Sequence, residues 1–349
     1  MADSTGSRET GVSSPSRISR LGFGTSGLMG AALTTRGRLR LLDTALAHGI
    51  THFDTAPLYG MGMAEEVLGR FCRGRREHIT ITTKFGLPPR PVAPLLRPLL
   101  PVARVINRSR SRMKRRDATS VSYGGPLQLT PPGSEAAEHP ESRLVIAATA
   151  EALRKHLHTS LRKLQCDYVD HYVLHDCGSA DLTDAVIEAL ENLRQEGKII
   201  RWGIATGRQS SRKILSTHSH FQGVVQIPDH LLQLDTNWFV NHARAPLFTH
   251  SALRQGLLGG SDVDPVLASL VREWADHTGR SPGDSCLRRE LLLLGALNNN
   301  PNGCVIFSTI RSDRIRANAE VLQRWGAESG RVAELLNQAI TSAGGRGNP

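Results

Sequence analysis

Asp54, Tyr59, Lys84 and His175 are residues of the types that move protons, and each stands at or just beyond the end of a short β-branched run. The runs are Thr51-His-Phe-Asp54, Ile79-Thr-Ile-Thr-Thr-Lys84 and Tyr168-Val-Asp-His-Tyr-Val-Leu-His175. A phenol titrates near pH ~10 in water and exchanges protons poorly at neutrality unless a nearby cation favours phenolate. Lys84 is the candidate cation, and Asp54 is the carboxylate that would keep it charged and oriented. His175 is the candidate hydrogen-bond donor to an oxygen that gains negative charge. Together the four offer protonation of a carbonyl oxygen during its reduction, and none of this requires a metal. Taken singly, each has an ordinary use: a turn cap for Asp54, a surface aromatic for Tyr59, a solvated strand end for Lys84, a satisfied polar residue for His175. The chemistry therefore depends on what brings them together.

Residues at strand ends converge at the C-terminal mouth of a parallel barrel. Apolar residues at three and four spacing predict helices over Arg36 to His48, Met63 to Cys72, Ser142 to Leu164, Leu182 to Lys198, Pro265 to His277 and Ser281 to Leu297. Alternating with strand candidates, of which there are eight, they predict an α/β fold, a (β/α)8 TIM barrel with a long insertion after strand 3. The Gly22-Phe-Gly24 pair followed by Gly27 spells GxGxxG, but no convincing helix opens there, as a dinucleotide fingerprint would need. His171 lies four residues before His175 and so on the same strand face; it and His52 read as hydrogen-bonded barrel-core residues. Asp176 is a candidate contact for a hydroxylated substrate.

Wider phrases carry a resemblance. Phe53-Asp54-Thr55-Ala56-Pro57-Leu58-Tyr59-Gly60, followed by Glu65-Glu66-Val67-Leu68-Gly69-Arg70, closely resembles the signature of the aldo-keto reductases. Gly22-Phe-Gly-Thr25 resembles that family's first strand, Leu161-Arg-Lys-Leu164 with Asp167-Tyr-Val-Asp170 and Leu174-His175 its fourth unit, and Trp202-Gly-Ile-Ala-Thr206 its fifth strand. Ser251-Ala-Leu253 with Gly256-Leu-Leu258 resembles the seventh-strand loop, and Val305-Ile-Phe-Ser-Thr309 with Arg314 and Asn318 the closing cofactor clamp. The match runs from about residue 18 to about residue 325.

The resemblance implies a reductase that passes hydride from NADPH, with NADH as the alternative, to an aldehyde, ketone or sugar, or the reverse. Asp54, Tyr59, Lys84 and His175 take the catalytic positions. Thr206 and Gln226 match the residues that bond the carboxamide, and His250 stands where a tyrosine usually stacks on the nicotinamide. Ser251 and Leu253 match pyrophosphate contacts, and Thr309, Arg314 and Asn318 hold the adenosine end, with Gly24, Thr25 and Ser308 completing the set. Arg314 favours NADPH, because a guanidinium can grip a 2'-phosphate in bidentate fashion. Ser308 stands where NADP-preferring members often carry Lys, and Ala317 where many carry an acid. The competing reading is a cofactor-binding regulatory or scaffolding barrel without significant turnover.

A chain of 349 residues is long enough for one such barrel. Residues 1–17, rich in Ser, Gly and charge, read as a disordered tail before a barrel spanning 18–349. No run approaches the roughly 18 apolar residues of a membrane span, and the first residues are polar, which predicts a cytoplasmic protein. The five cysteines show no CxxC pair and read as reduced thiols; Cys177, two after His175, reads as packing. Of the net charge of +11, nine positive residues lie between Arg90 and Arg116 without an acid, leaving +2 elsewhere. They belong to a Pro/Arg-rich insertion, 86–141, that is a candidate lid or a docking surface for an anionic partner. Nucleic acid is disfavoured, because no aromatics are interleaved with the arginines.

Overall fold

The computed structural model describes residues 18–29, 34–88, 144–231, 233, 235–253 and 265–344, which build a closed barrel of parallel strands paired in chain order, the last pairing with the first. The strands are β1 (Leu21–Gly24), β2 (His52–Asp54), β3 (Thr80–Phe85), β4 (Val169–His175), β5 (Ile199–Ala205), β6 (Val224–Pro228), β7 (Leu247–His250) and β8 (Cys304–Phe307). Outside them lie α1 (Thr35–Ala47), α2 (Met63–Cys72), α3 (Ala150–Leu164), α4 (Asp184–Gln195), α5 (Arg208–Thr217), α6 (Thr236–His242), α7 (Pro265–Thr278), α8 (Leu287–Asn299), α9 (Ser312–Trp325) and α10 (Ser329–Gly344). The expected (β/α)8 architecture is thus present. The tail 1–17, all of the insertion beyond residue 88 and the Gly256-Leu-Leu258 segment lie outside the described residues.

Most helix faces follow the apolar period. Helix α4 buries Val186, Ala189, Leu190 and Leu193, and Thr183 caps it by accepting a bond from the Val186 N–H. Two expected starts move inward. The helix expected from Ser142 begins at Ala150, because the Thr149 hydroxyl caps Ala152 N–H and the preceding Val145 N–H instead donates to Gly86 O. The helix expected from Ser281 begins at Leu287, after a turn in which Asp284 accepts from Cys286 N–H. Helix α10, which the sequence reading did not anticipate, buries Val332, Leu335 and Leu336 and packs on α7 and α8.

The barrel is filled, not hollow. His52 and His171 lie inside it with Phe248 between their neighbours, ring centroids 4.7 and 5.1 Å from that phenyl. Their Nδ1 atoms meet the hydroxyls of Thr80 and Thr82 at 2.9 and 3.1 Å, so both are the hydrogen-bonded core residues expected. The fit is tight enough to require glycine on β1. A Cβ on Gly22 would meet Cys304 Sγ at 2.8 Å and His52 Cδ2 at 2.9 Å. Helix α8 is different again: Leu291, Leu292, Leu293 and Leu294 are all buried, as expected of a helix enclosed on every side by barrel and neighbouring helices. Each buried leucine contributes roughly 1.5–3 kcal/mol.

Candidate active site

Strand register brings the proton-moving residues to one level. Asp54 ends β2 opposite Gly24 of β1 and Thr82 of β3, and Lys84 stands two residues beyond Thr82 on the same face. His175 ends β4 opposite Ala205, which pairs in turn with Gln226 on β6. Tyr59 comes from outside the sheet. It opens a 3-10 turn, Tyr59–Gly62, in which Gly60, Met61 and Gly62 all take positive φ, so the chain doubles back and carries the phenol over the mouth. Of the non-glycine residues described with positive φ, Met61, Asp176 and Ser251 all stand at this mouth, where backbone strain is commonly spent on placing functional groups.

The four side chains form a connected set. Lys84 Nζ donates to both Asp54 oxygens, at 2.7 and 2.6 Å, and to Thr55 O at 3.0 Å. Gln226 Nε2 donates to Asp54 Oδ2 at 3.1 Å. The ammonium lies 5.1 Å from the Tyr59 ring centroid, and the Tyr59 and His175 rings stand perpendicular with centroids 6.3 Å apart.

Burial and charge set the protonation states. Burial alone would discharge Lys84, but Asp54 and then Tyr59 outweigh it, and its pKa rises above the ordinary lysine value. Burial raises the Tyr59 phenol, and the pull of Lys84 in the other direction is smaller, so the phenol carries its proton at neutral pH. The lowering influence expected of Lys84 is present without dominating. Burial, with Lys84 and His250 beside it, depresses His175 to about 3, so its imidazole is neutral. A neutral acid, a fixed cation and a neutral imidazole donor thus face one point.

That point opens into a cavity of about 600 Å³. It runs from Asp54, Tyr59, Lys84 and His175, past Thr206, Gln226, His250, Ser251 and Leu253, to Ser308, Thr309, Arg314 and Asn318. Gly24 forms part of the wall, where a Cβ would press on Ile306 at 3.2 Å. Thr25 is the exception among the positions read from the sequence. It is buried behind the wall, donating to Asp54 O at 3.1 Å and Thr55 Oγ1 at 2.9 Å, and so steadies the end of β2. Gln226 spends one amide hydrogen on Asp54, and His250 Nδ1 meets Ser251 Oγ at 2.8 Å. Ser308 accepts from Gly27 N–H at 3.2 Å. Asp176 also lines the cavity, beside His175. Cys177 does not; it is buried in the hydrophobic core, which raises its thiol pKa.

The cavity suits an elongated dinucleotide. Asn318 Oδ1 is buried at the far end with no hydrogen-bond partner among the described residues, an acceptor matched to an amino group such as that of adenine. Arg314, exposed on the first turn of α9, supplies a cation there. Two polar cavity residues escaped the sequence reading. Ser26 lies within the glycine-rich turn after β1, and Arg289 opens the leucine-rich helix α8, where the surrounding pattern reads as core.

Comparison with known proteins bears on the family and the fold. Among curated proteins, the chain is 31% identical over 191 residues to the uncharacterised oxidoreductase YqkF of Bacillus subtilis, covering 55% of this chain and 46% of that one. It is 28% identical over 198 residues to a D-threo-aldose 1-dehydrogenase of a Pseudomonas species, covering 54% and 50%. The matched part thus spans about half the length of these curated relatives. Among solved structures, an aldo-keto reductase of Bacillus halodurans in its holo form superposes with a TM-score of 0.58 at 22% identity, over 91% of this chain and 92% of that one. An aldo-keto reductase of Klebsiella pneumoniae in complex with NADPH superposes with a TM-score of 0.57 at 23% identity, over 91% of each chain. The model of the aldo/keto reductase family matches residues 20–124 and 142–325, most of the sequence, and the chain belongs to that family.

Proposed function

We propose that this chain is an NADPH-dependent carbonyl reductase whose acid is Tyr59. The observation that carries the reading is the protonated phenol held between a buried, Asp54-paired ammonium and a neutral imidazole on the wall of a dinucleotide-sized cavity. When bound, the reduced nicotinamide supplies hydride to the carbonyl carbon. Tyr59 Oη gives its proton to the carbonyl oxygen, completing the alcohol. His175 donates a hydrogen bond to that oxygen as its charge grows, through the one N–H that its neutral ring keeps. Lys84 stabilises the phenolate left behind, and Asp54 with Gln226 keeps Lys84 charged and in place. The reverse reaction, oxidation of an alcohol, uses the same groups.

In this reading Thr206 and Gln226 would hold the carboxamide, His250 the ring, Ser251 and Leu253 the pyrophosphate, and Thr309, Arg314 and Asn318 the adenosine; all of them line the cavity. Arg314 favours NADPH over NADH. Asp176, held at φ 58° beside His175, favours substrates with hydroxyl groups that can donate to a carboxylate, so small hydroxylated carbonyls such as sugars are the proposed class. The five cysteines are free thiols, which supports a reducing, cytoplasmic compartment; among the described residues no helix is long and apolar enough to cross a membrane. The insertion's basic run supports an anionic partner there.

The test is titration with NADPH and NADH, then NADPH oxidation with a panel of aldehydes and aldoses. Arg314→Ala is expected to weaken NADPH about tenfold or more while NADH changes little, the loss of one charge-assisted contact. Equal weakening of both would remove Arg314 from the 2'-phosphate. Binding without oxidation across the panel would instead favour a regulatory barrel.

A further inference from the structure

We infer that Arg289 is a second phosphate-binding cation of this site, which grips the cofactor's 2'-phosphate from the side opposite Arg314. The inference rests on the cofactor reading above and adds to it a residue from a different helix.

Helix α8 is core over Leu291–Leu294, and only its first turn approaches the mouth. Within that turn Glu290 is already engaged by Arg280. Arg289 instead lines the cavity, its Nε is buried without a hydrogen-bond partner, and it makes no ion pair among the described residues. A guanidinium drawn partly out of water and left unpaired is unfavourable unless an anion completes it. Among the described residues that line the cavity the acids are Asp54 and Asp176, and both belong to its catalytic end. The uncompensated charge therefore awaits a ligand.

Topology says which part of the ligand. Helix α8 enters β8 and α9 leaves it, so both helices have their first turns at the mouth, flanking the Ser308 and Thr309 segment. Arg289 is the third residue of α8, and Arg314 the third of α9. Both arginines line the same cavity, each from the first turn of its helix, and the first-turn N–H groups of both helices add positive potential there. A phosphate monoester carries about −1.5 to −2 at pH 7. One arginine leaves part of that charge uncompensated, and two match it. The pyrophosphate is an alternative target, but it is common to NADH and NADPH, so the two are separable.

The experiment measures binding by calorimetry on the full chain for NADPH, NADH, 2',5'-ADP and 5'-ADP, in the wild type, Arg289→Gln and Arg289→Met. Arg289→Gln is expected to weaken NADPH and 2',5'-ADP about tenfold or more, and to leave NADH and 5'-ADP within about twofold. Arg289→Met, apolar and of similar length, keeps the packing and is expected to give the same selective loss if the glutamine variant does not fold. An equal loss for both ligand pairs, or no loss for either, would overturn the assignment. If the wild type itself binds no NADPH, the parent reading fails; if it binds NADPH and the variants bind it as well, only the role of Arg289 fails.

Discussion

Strand β4 carries two histidines on one face, and the barrel puts them to different uses. Four residues of strand separate them, about 13 Å. His171, on the floor, is packed against Phe248 and bonded to Thr82. His175, at the mouth, forms the cavity wall beside Tyr59. Burial depresses both to about 3. A depressed imidazole is therefore not by itself a sign of chemistry in this fold; desolvation produces it wherever the barrel is filled. What marks His175 is the company it keeps, a protonated phenol and a buried ammonium that face the same open space. The floor is a packed polar core, and the mouth is the same kind of core with one side left open.

Changes at the mouth should then cost turnover, and changes on the floor should cost stability. The largest effect is expected from Tyr59→Phe, which removes the acid and keeps the ring: turnover should fall by about 10²- to 10⁴-fold with NADPH affinity unchanged, read by steady-state kinetics beside calorimetric titration. His175→Asn should lower turnover by about 10²- to 10³-fold, the usual cost of one lost donor to a developing oxyanion. The matching floor change, His171→Asn, should leave turnover within a few-fold and lose about 1–3 kcal/mol in urea unfolding, since the smaller amide leaves a gap against His52 and Phe248. Similar kinetics for the two histidine variants would break the distinction.

Lys84 spans both categories, because its ion pair with Asp54 is buried and also lines the open mouth. Lys84→Met should destabilise by about 3–5 kcal/mol through the carboxylate left alone. Adding Asp54→Asn should recover much of that stability and none of the turnover, a split that a purely structural pair would not show.

The smallest expected effect is in the pH dependence of stability. His171 and His175 take a proton near pH 6.5 when unfolded but only near 3 when folded, so their contribution is complete above 6.5 and is lost as pH falls towards 3. Each fully linked group changes stability by about 1.4 kcal/mol per pH unit in that window. Asp229 works the other way: burial raises it to about 6, so protonation favours the folded chain between pH 6 and 4 and offsets part of the loss. Urea midpoints at pH 7 and pH 5 should show a smaller difference for His171→Phe than for the wild type.

Much of the mouth was legible in the sequence because its residues end strands. Asp54 and His175 close β-branched runs, and α2 spans Met63–Cys72 as its apolar spacing predicts, with Glu65 and Glu66 in the first turn. The start of α3 was not legible, since Leu144, Val145 and Ile146 continue the apolar pattern while their backbone is already bonded to Gly86. Thr25 reads as a cavity residue from its neighbours in sequence, whereas its hydroxyl turns back to β2, a choice made by tertiary contacts. Arg289 carries no local signal. It stands before a leucine run whose period reports the core, and only closure of the barrel brings it into the cavity wall that also holds Arg314.

Hydride transfer to a carbonyl is the reaction expected at this mouth. NADPH carrying deuterium at the transferable C4 position, incubated with the purified chain and an aldose or aldehyde it consumes, tests this directly by mass spectrometry of the alcohol. One deuterium on the former carbonyl carbon for each NADPH oxidised is the predicted result, with the label lost along with turnover in Tyr59→Phe. NADPH bound stoichiometrically, with no labelled alcohol from any carbonyl offered, would contradict it.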